Sequence, residues 1–306
     1  MKHHCFVIAL LCVGLIGLPA DVSGTTNELD DQNPVTEIRH YQQEFRYNYH
    51  LKLLDLVLSV TEDEFGPYRL TPVPEGGPEV AEARGVRMLA NDEIDLVFLS
   101  TSREREDMFL PVRVPLLKGL LGFRLLLINP LDQPRFSDVT TLSDLTEDFR
   151  LGFNPHWVDY RIYENAGFDM VSSVSYDELF AMLDAGRFDI FPRGVNEVWQ
   201  ELIFFRSAHP NIDVERELLL YYPFPVFFFV RPENDQLRER LYRGLELIQE
   251  DGRFQKLLMR HYQPFVEKAR LPQRRLIELE NPTLPKDINV PDRDWWLKTV
   301  PKLPDN

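Results

Sequence analysis

Apolar positions along the chain alternate between helical spacing and short unbroken runs, and one such alternation occurs twice. In YDELFAMLDAGRFDIFPRGVNEVWQE, from Tyr176 to Glu201, residues Tyr176, Leu179, Phe180 and Leu183 recur at helical spacing, so this helix buries one face. Gly186 stands just past it as a C-cap, and Phe188, Ile190 and Phe191 form the short apolar run of a buried strand. Pro192-Arg193-Gly194 then breaks the strand at its carboxyl end, where open α/β sheets hold ligands. VRMLANDEIDLVFLSTSRERE, from Val86 to Glu106, repeats the pattern of helix, acidic turn, buried strand and polar end. Two such units in one chain predict two α/β lobes facing each other across a cleft.

The remaining pattern fills in those lobes. A strand at Val35–Tyr41, an amphipathic helix at Tyr47–Thr61 with Leu51, Leu54, Val57 and Leu58 on one side, and a strand at Tyr68–Val73 precede a Gly- and Pro-rich loop at Pro74–Pro78. A helix at Val80–Asn91 and a strand at Asp95–Leu99 complete a β-α-β-α-β order, which predicts parallel pairing. Met108–Ile128 is apolar, but Pro111, Pro115, Gly119 and Gly122 forbid a continuous helix, so two extended pieces crossing between the lobes are expected. Leu218–Val230, interrupted by Pro223 and Pro225, is the return crossing. Strand and helix alternate between the crossings, with Leu142–Phe149 helical, Leu151–Phe153 and Met170–Val174 extended. Gln236–Tyr262 reads as two helices broken at Asp251-Gly252. From Asn281 the chain carries five prolines and the pair Trp295-Trp296, which predicts an extended strap whose tryptophans plug a surface groove.

Composition narrows the class. At 306 residues, 44% hydrophobic and 27% charged, the chain has room for two domains of ordinary size. Its net charge of −15 argues against nucleic acid as a partner. Lys2 precedes an apolar run from Cys5 to Leu18, then Pro19 and small residues to Gly24, which is the order of a secretory signal peptide. The run is shorter than the roughly 20 residues a bilayer requires. Cleavage after Gly24 is preferred over Ala20. Both cysteines lie in this segment, so the exported chain has no thiol, which fits a Gram-negative periplasm. His40, His50, His156, His209 and His261 show no metal-ligand spacing, and no GxSxG, GxGxxG, Walker loop or HExxH occurs, so neither a metal nor a cofactor is expected.

Taken in order, EIDLVFLSTSRERE, LLKGLLGFRLLLI, YDELFAMLDAGRFDIF and EDGRFQKLL resemble the family 3 extracellular solute-binding proteins, the type 2 periplasmic binding proteins related to amino-acid ABC transporter substrate-binding proteins. The resemblance runs from about Glu37 to about Pro264. It implies an α/β fold of two lobes, with mixed, mostly parallel sheets joined by two hinge crossovers. Residues 25–120 and 221–270 would form lobe one, 121–220 lobe two and 271–306 a Pro-rich strap. It also implies a Thr-x-x-Arg motif at the end of the first-lobe strand. Ser102-Arg103-Glu104-Arg105 matches with serine for threonine, giving Arg105 the role of carboxylate clamp supported by Thr101 or Ser102. The family's amine-accepting aspartate falls on Gly194, so that acceptor is missing and Arg193 stands beside it.

The candidate ligand residues are therefore Arg105, Thr101, Ser102, Arg193 and Asp159, with Trp157, Tyr160 and Phe65 as aromatic walls. Two arginines facing one cleft predict an anion, while Asp159 or Glu197 would reach an amine. The bland readings are a surface Arg105 paired with Glu104 or Glu106, a structural Asp189 capping its turn as Asp95 does, and an exposed Lys118. Three functions follow. The first is a monomeric periplasmic protein that captures a small polar or anionic solute, amino-acid-like ligands included, for an inner-membrane ABC permease or a sensor kinase. The second is a dehydratase-like enzyme on the same fold, with Glu197 or Asp159 as acid or base. The third is an interaction module without ligand.

Overall fold

The twice-repeated helix–turn–strand pattern builds two matching units in a computed structural model, which describes residues 34–43, 47–74 and 82–299. The expected leader with its cleavage site and both cysteines, the polar stretch after it and most of the loop at Pro74–Pro78 lie outside the described residues. The first part of the chain gives β1 (Thr36–His40), α1 (Asn48–Ser59), α2 (Glu62–Phe65), β2 (Tyr68–Pro72), α3 (Glu82–Ala90), β3 (Leu96–Ser100), α4 (Arg103–Met108) and β4 (Leu110–Val112). The middle gives β5 (Phe123–Ile128), α5 (Leu142–Asp148), β6 (Arg150–Phe153), α6 (Tyr160–Asn165), β7 (Asp169–Ser172), α7 (Tyr176–Asp184), β8 (Phe191–Gly194), α8 (Val198–Phe205), β9 (Asp213–Val214) and β10 (Leu218–Tyr221). The last part gives β11 (Val226–Val230), α9 (Asp235–Glu250), α10 (Arg253–Ala269), β12 (Arg275–Glu278) and α11 (Asp294–Thr299).

The strands form mixed sheets. β1 and β2 pair in parallel, and β11 lies between β3 and β4, antiparallel to both. A five-stranded sheet runs β12-β10-β5-β8, with β9 also on β5. β6 and β7 pair in parallel, and a bridge from Leu151 to Ile190 joins them to the strand leading into β8. The chain crosses from the three-stranded to the five-stranded sheet between β4 and β5 and returns between β10 and β11, so each apolar run splits around its prolines between the two sheets. All described residues belong to one compact unit.

The two acidic turns are anchored alike. Asp95 accepts the backbone N–H of Arg39 at 2.7 Å and the same arginine's guanidinium at 2.8 and 3.0 Å. Asp189 accepts the backbone N–H of Arg150 at 2.8 Å and the guanidinium of Arg135 at 2.9 Å. In each unit the aspartate's own N–H returns to the carbonyl of Arg39 or Arg150 at 2.9 Å. Each aspartate thus pins the start of a buried strand to its neighbour through charge-assisted bonds, which are the stronger kind.

Several expectations change. The stretch 192–194 does not break the strand: Phe191–Gly194 is the strand, with Pro192 opposite Leu126. Pairing with β6 on the far side reaches only Ile190, so Pro192, which has no N–H, stands where that ladder ends. The buried face of α1 includes Tyr49, His50, Leu53, Leu54, Val57 and Leu58, with Leu51 only half-buried. α10 runs through Pro264 to Ala269, held by buried Val266 and Ala269, and ends at Arg270 in the left-handed region. The C-terminal segment is more than a strap, since β12 pairs in parallel with β10 and α11 is helical. Trp296 is fully buried in the main core, Trp295 packs partly buried against it, and Lys118 is half-buried beside the Phe254 and Trp295 rings.

Candidate functional site

β8, the turn after it and α8 bring a cluster of charges under cover. Arg193, buried at the strand end, donates from Nε to Glu201 at 2.8 Å and from a terminal nitrogen at 2.5 Å. Tyr176 donates its hydroxyl to the same carboxylate at 2.6 Å. The guanidinium also lies 4.9 Å from the Trp157 ring centre and 5.2 Å from that of Phe191, within cation–π range. Burial works against the charged form of Arg193, but Glu201 and Glu197 outweigh it and hold its pKa above the usual value.

A second pair sits beside the first. Arg124, the one charge inside LLGFRLLLI, is buried and donates to Asp159 at 2.9 Å. Tyr222 donates to the same Asp159 oxygen at 2.9 Å and meets the Tyr163 hydroxyl at 3.0 Å. Burial pushes Asp159 upward in pKa, against the pull of Arg124 and Tyr222. Glu197 bridges both pairs, 3.3 Å from Arg193 and 3.6 Å from Arg124, and accepts the N–H of Gly194 at 3.0 Å. Gly194 makes this bridge feasible, because a Cβ there would lie 2.7 Å from Asn196 Oδ1 and 2.9 Å from Glu197 Oε2.

His50, on α1, is buried and feels the Glu197 carboxylate. Its ring stacks on Phe98 at 4.6 Å, nearly parallel, and burial lowers its pKa to about 3, helped by His261 and opposed by Glu197. Both ring nitrogens of His50 are buried without a hydrogen-bond partner, as are Arg124 Nε and Asn196 Oδ1. Such groups are uncommon in folded proteins and call for a reason.

No family model and no curated protein matches the chain. Solved structures do. An ancestral arginine-binding protein bound to arginine aligns with a TM-score of 0.53 at 14% identity, over 76% of this chain and 99% of that one. A Salmonella typhimurium periplasmic binding protein described for its high arginine specificity gives 0.54 at 13%, over 74% of this chain and 100% of the other. A histidine kinase sensor domain with similarity to periplasmic binding proteins gives 0.51 at 15%, over 76% and 97%. The fold is that of the periplasmic binding proteins.

Within a periplasmic binding protein fold the sequence-predicted residues divide into three places. Arg193, Trp157 and Asp159 belong to the cluster just described. Thr101, Ser102 and Arg105 form a second group at the start of α4. Ser102 caps that helix by accepting from the Arg105 N–H at 3.3 Å, and Thr101 donates to Glu106 at 2.6 Å. The Arg105 guanidinium bonds Ser100 and pairs with Glu82 on α3, rather than with Glu104 or Glu106. A ligand carboxylate would have to displace Glu82 to reach it. Among the described residues no hydrogen bond or ion pair links this group to Arg193. Phe65 lies elsewhere again, 5.9 Å from Arg240, while Tyr160 bonds Ser172 at 3.2 Å.

Arg124, Tyr163, Tyr176, Glu201, Tyr222 and His50 escaped the sequence reading. Only Arg124 left a signal, as a lone charge in an apolar run. The expected pair of anion-binding arginines is also altered, because each has its own carboxylate. Among the described residues no His/Cys/Asp/Glu group has the arrangement of a metal site, and no helix is long and apolar enough to cross a membrane.

Proposed function

We propose that this chain is a periplasmic solute-binding protein that closes over a small polar, amino-acid-like ligand, either for an inner-membrane ABC permease or for a sensor kinase. One observation carries the reading: the unpartnered Arg124 Nε and Asn196 Oδ1 lie beside Glu197, and the buried, unpartnered ring of His50 feels the same carboxylate. A bound solute would satisfy atoms that folding alone leaves unpaired. The names of the fold neighbours, arginine-binding proteins and a sensor domain, support the same class.

Charge balance favours an amine over a simple anion. The cluster sets three carboxylates, Glu201, Asp159 and Glu197, against two arginines, Arg193 and Arg124, and Glu197 keeps 32% of its side chain exposed. With His50 neutral, its ring nitrogen and Asn196 Oδ1 add acceptors, and Arg124 Nε offers a donor to a ligand carboxylate or carbonyl. Glu197 thus takes the place left empty at Gly194. Binding is favoured over acid–base chemistry at Asp159 because its carboxylate is already engaged by Arg124 and Tyr222.

Thermal unfolding of the exported chain against amino acids, dicarboxylates, sugars and phosphates tests the reading. A ligand at about 100 times its Kd adds about 2.7 kcal/mol, a rise of roughly 5–10 °C. The expected result is a shift with amine-bearing solutes that Glu197→Gln removes. A shift confined to dicarboxylates or phosphates would overturn the amine assignment. No shift across the panel would overturn solute capture in favour of a protein-interaction role.

A further inference from the structure

The chain passes between its two largest sheets at 113–122 and at 222–225, and the C-terminal segment is tied to both passages. It leaves the five-stranded sheet at β12, where the Leu279 N–H donates to Tyr221 at 2.8 Å. Asn281 then donates from Nδ2 to the carbonyl of Pro223 at 2.8 Å. Next the segment reaches the other sheet's side: Thr283 accepts the Arg103 N–H at 2.8 Å, Asp287 pairs with Arg113 at 2.8 Å, and Ile288 packs on the cluster containing Val97, Leu99, Phe227 and Phe229. It returns to the first passage with Pro291 against Gly119 and the buried Trp296, whose indole N–H lies 3.1 Å from the carbonyl of Lys118 and 3.3 Å from that of Leu117.

The residues held this way are the ones a hinge would use. Lys118 and Gly119 have positive φ, 46° and 83°. For lysine that region is unfavourable and persists only where the surroundings enforce it. Domain rotation is absorbed by a few such backbone angles. An indole N–H fixed on the Lys118 carbonyl resists the peptide rotation that a change there would need.

We propose that residues 281–296 are a hinge clamp, a third tie between the two sheets that holds both passages in one backbone geometry and limits how far the sheets rotate apart. The clamp acts with or without a ligand, so it does not rest on the functional reading above.

Hydrogen–deuterium exchange on the full chain tests it. Trp296→Phe keeps an aromatic in the core while removing the indole donor and part of the ring, and Asn281→Ala removes the tie to Pro223 together with the turn bonds to Thr283. In the double variant, exchange at 116–122 and 222–225 should rise by roughly tenfold, about the worth of a net hydrogen bond, with β3 and β5 unchanged. Small-angle scattering should show a larger radius of gyration. Unchanged exchange in both passages would overturn the clamp. An equal rise through β3 and β5 would also overturn it, by showing that the ties support the fold in general and not the hinge.

Discussion

Arg193 is buried against the largely covered Glu201, so removing the arginine alone leaves that carboxylate uncompensated. Arg193→Ala strands Glu201 beside Tyr176, and loss of one partner of a buried pair costs about 3–5 kcal/mol. Urea unfolding should show that loss in the ligand-free protein. A cost below about 1 kcal/mol would mean the pair is effectively solvated. His50 supplies a pH signature. Its pKa falls from 6.5 to about 3 on folding, with burial the chief cause, then His261, against Glu197; Tyr49 packs on the same ring. Between those values the unfolded chain binds a proton that the folded chain refuses. This contribution is therefore complete above about pH 6.5 and is lost as pH falls toward 3, by up to about 1.4 kcal/mol per pH unit. The stability difference between wild type and His50→Gln should shrink as pH drops from 7.5 to 4.5; a constant difference would show that the folded ring titrates as it does in the unfolded chain. At this scale the sequence was half legible. Arg193, Trp157 and Asp159 stand at a strand end and a loop, positions that local pattern marks. Their partners Glu201, Arg124 and Tyr222 arrive from other elements, and no spacing rule announces a pairing made across the chain.

Helices and strands were legible wherever one periodic face decided the matter, as in α1, α7 and α9. They were misread where tertiary contacts overrule local preference. Pro192 looks like a terminator until its register opposite Leu126 of β5 shows that the strand runs on. Pro264 looks like a helix end until buried Val266 and Ala269 hold the following turn. β12 has too few residues to signal a strand without β10 beside it. The packing of α9 on α1 gives a direct test. A Cβ on Gly244 would lie 2.3 Å from the Val57 carbonyl oxygen, a backbone atom that cannot swing aside. Alanine normally improves a helix interior by about 1 kcal/mol over glycine, but overpacking of this kind costs about 1–3 kcal/mol. Gly244→Ala should thus lower Tm, and a rise would show that the two helices separate freely.

For the molecule as a whole, the repeated local pattern made the fold readable at sequence identities of 13–15% to its structural neighbours. The site was harder to read because α1, β5, the loop after β6, β8 and α8 each contribute one or two side chains, and only folding brings them together. All four tryptophans stand where these parts meet. Trp157 lies over Arg193, and Trp199, on α8, donates to the Phe265 carbonyl of α10 at 3.1 Å with the Lys268 ammonium 4.2 Å from its ring. Trp295 and Trp296 cover the first passage between the sheets. None is spent on a remote surface. The protein consequently carries its own optical gauge: ultraviolet emission from the unlabelled chain would register the proposed ligand capture through one indole and the proposed rotation of the sheets through the other three.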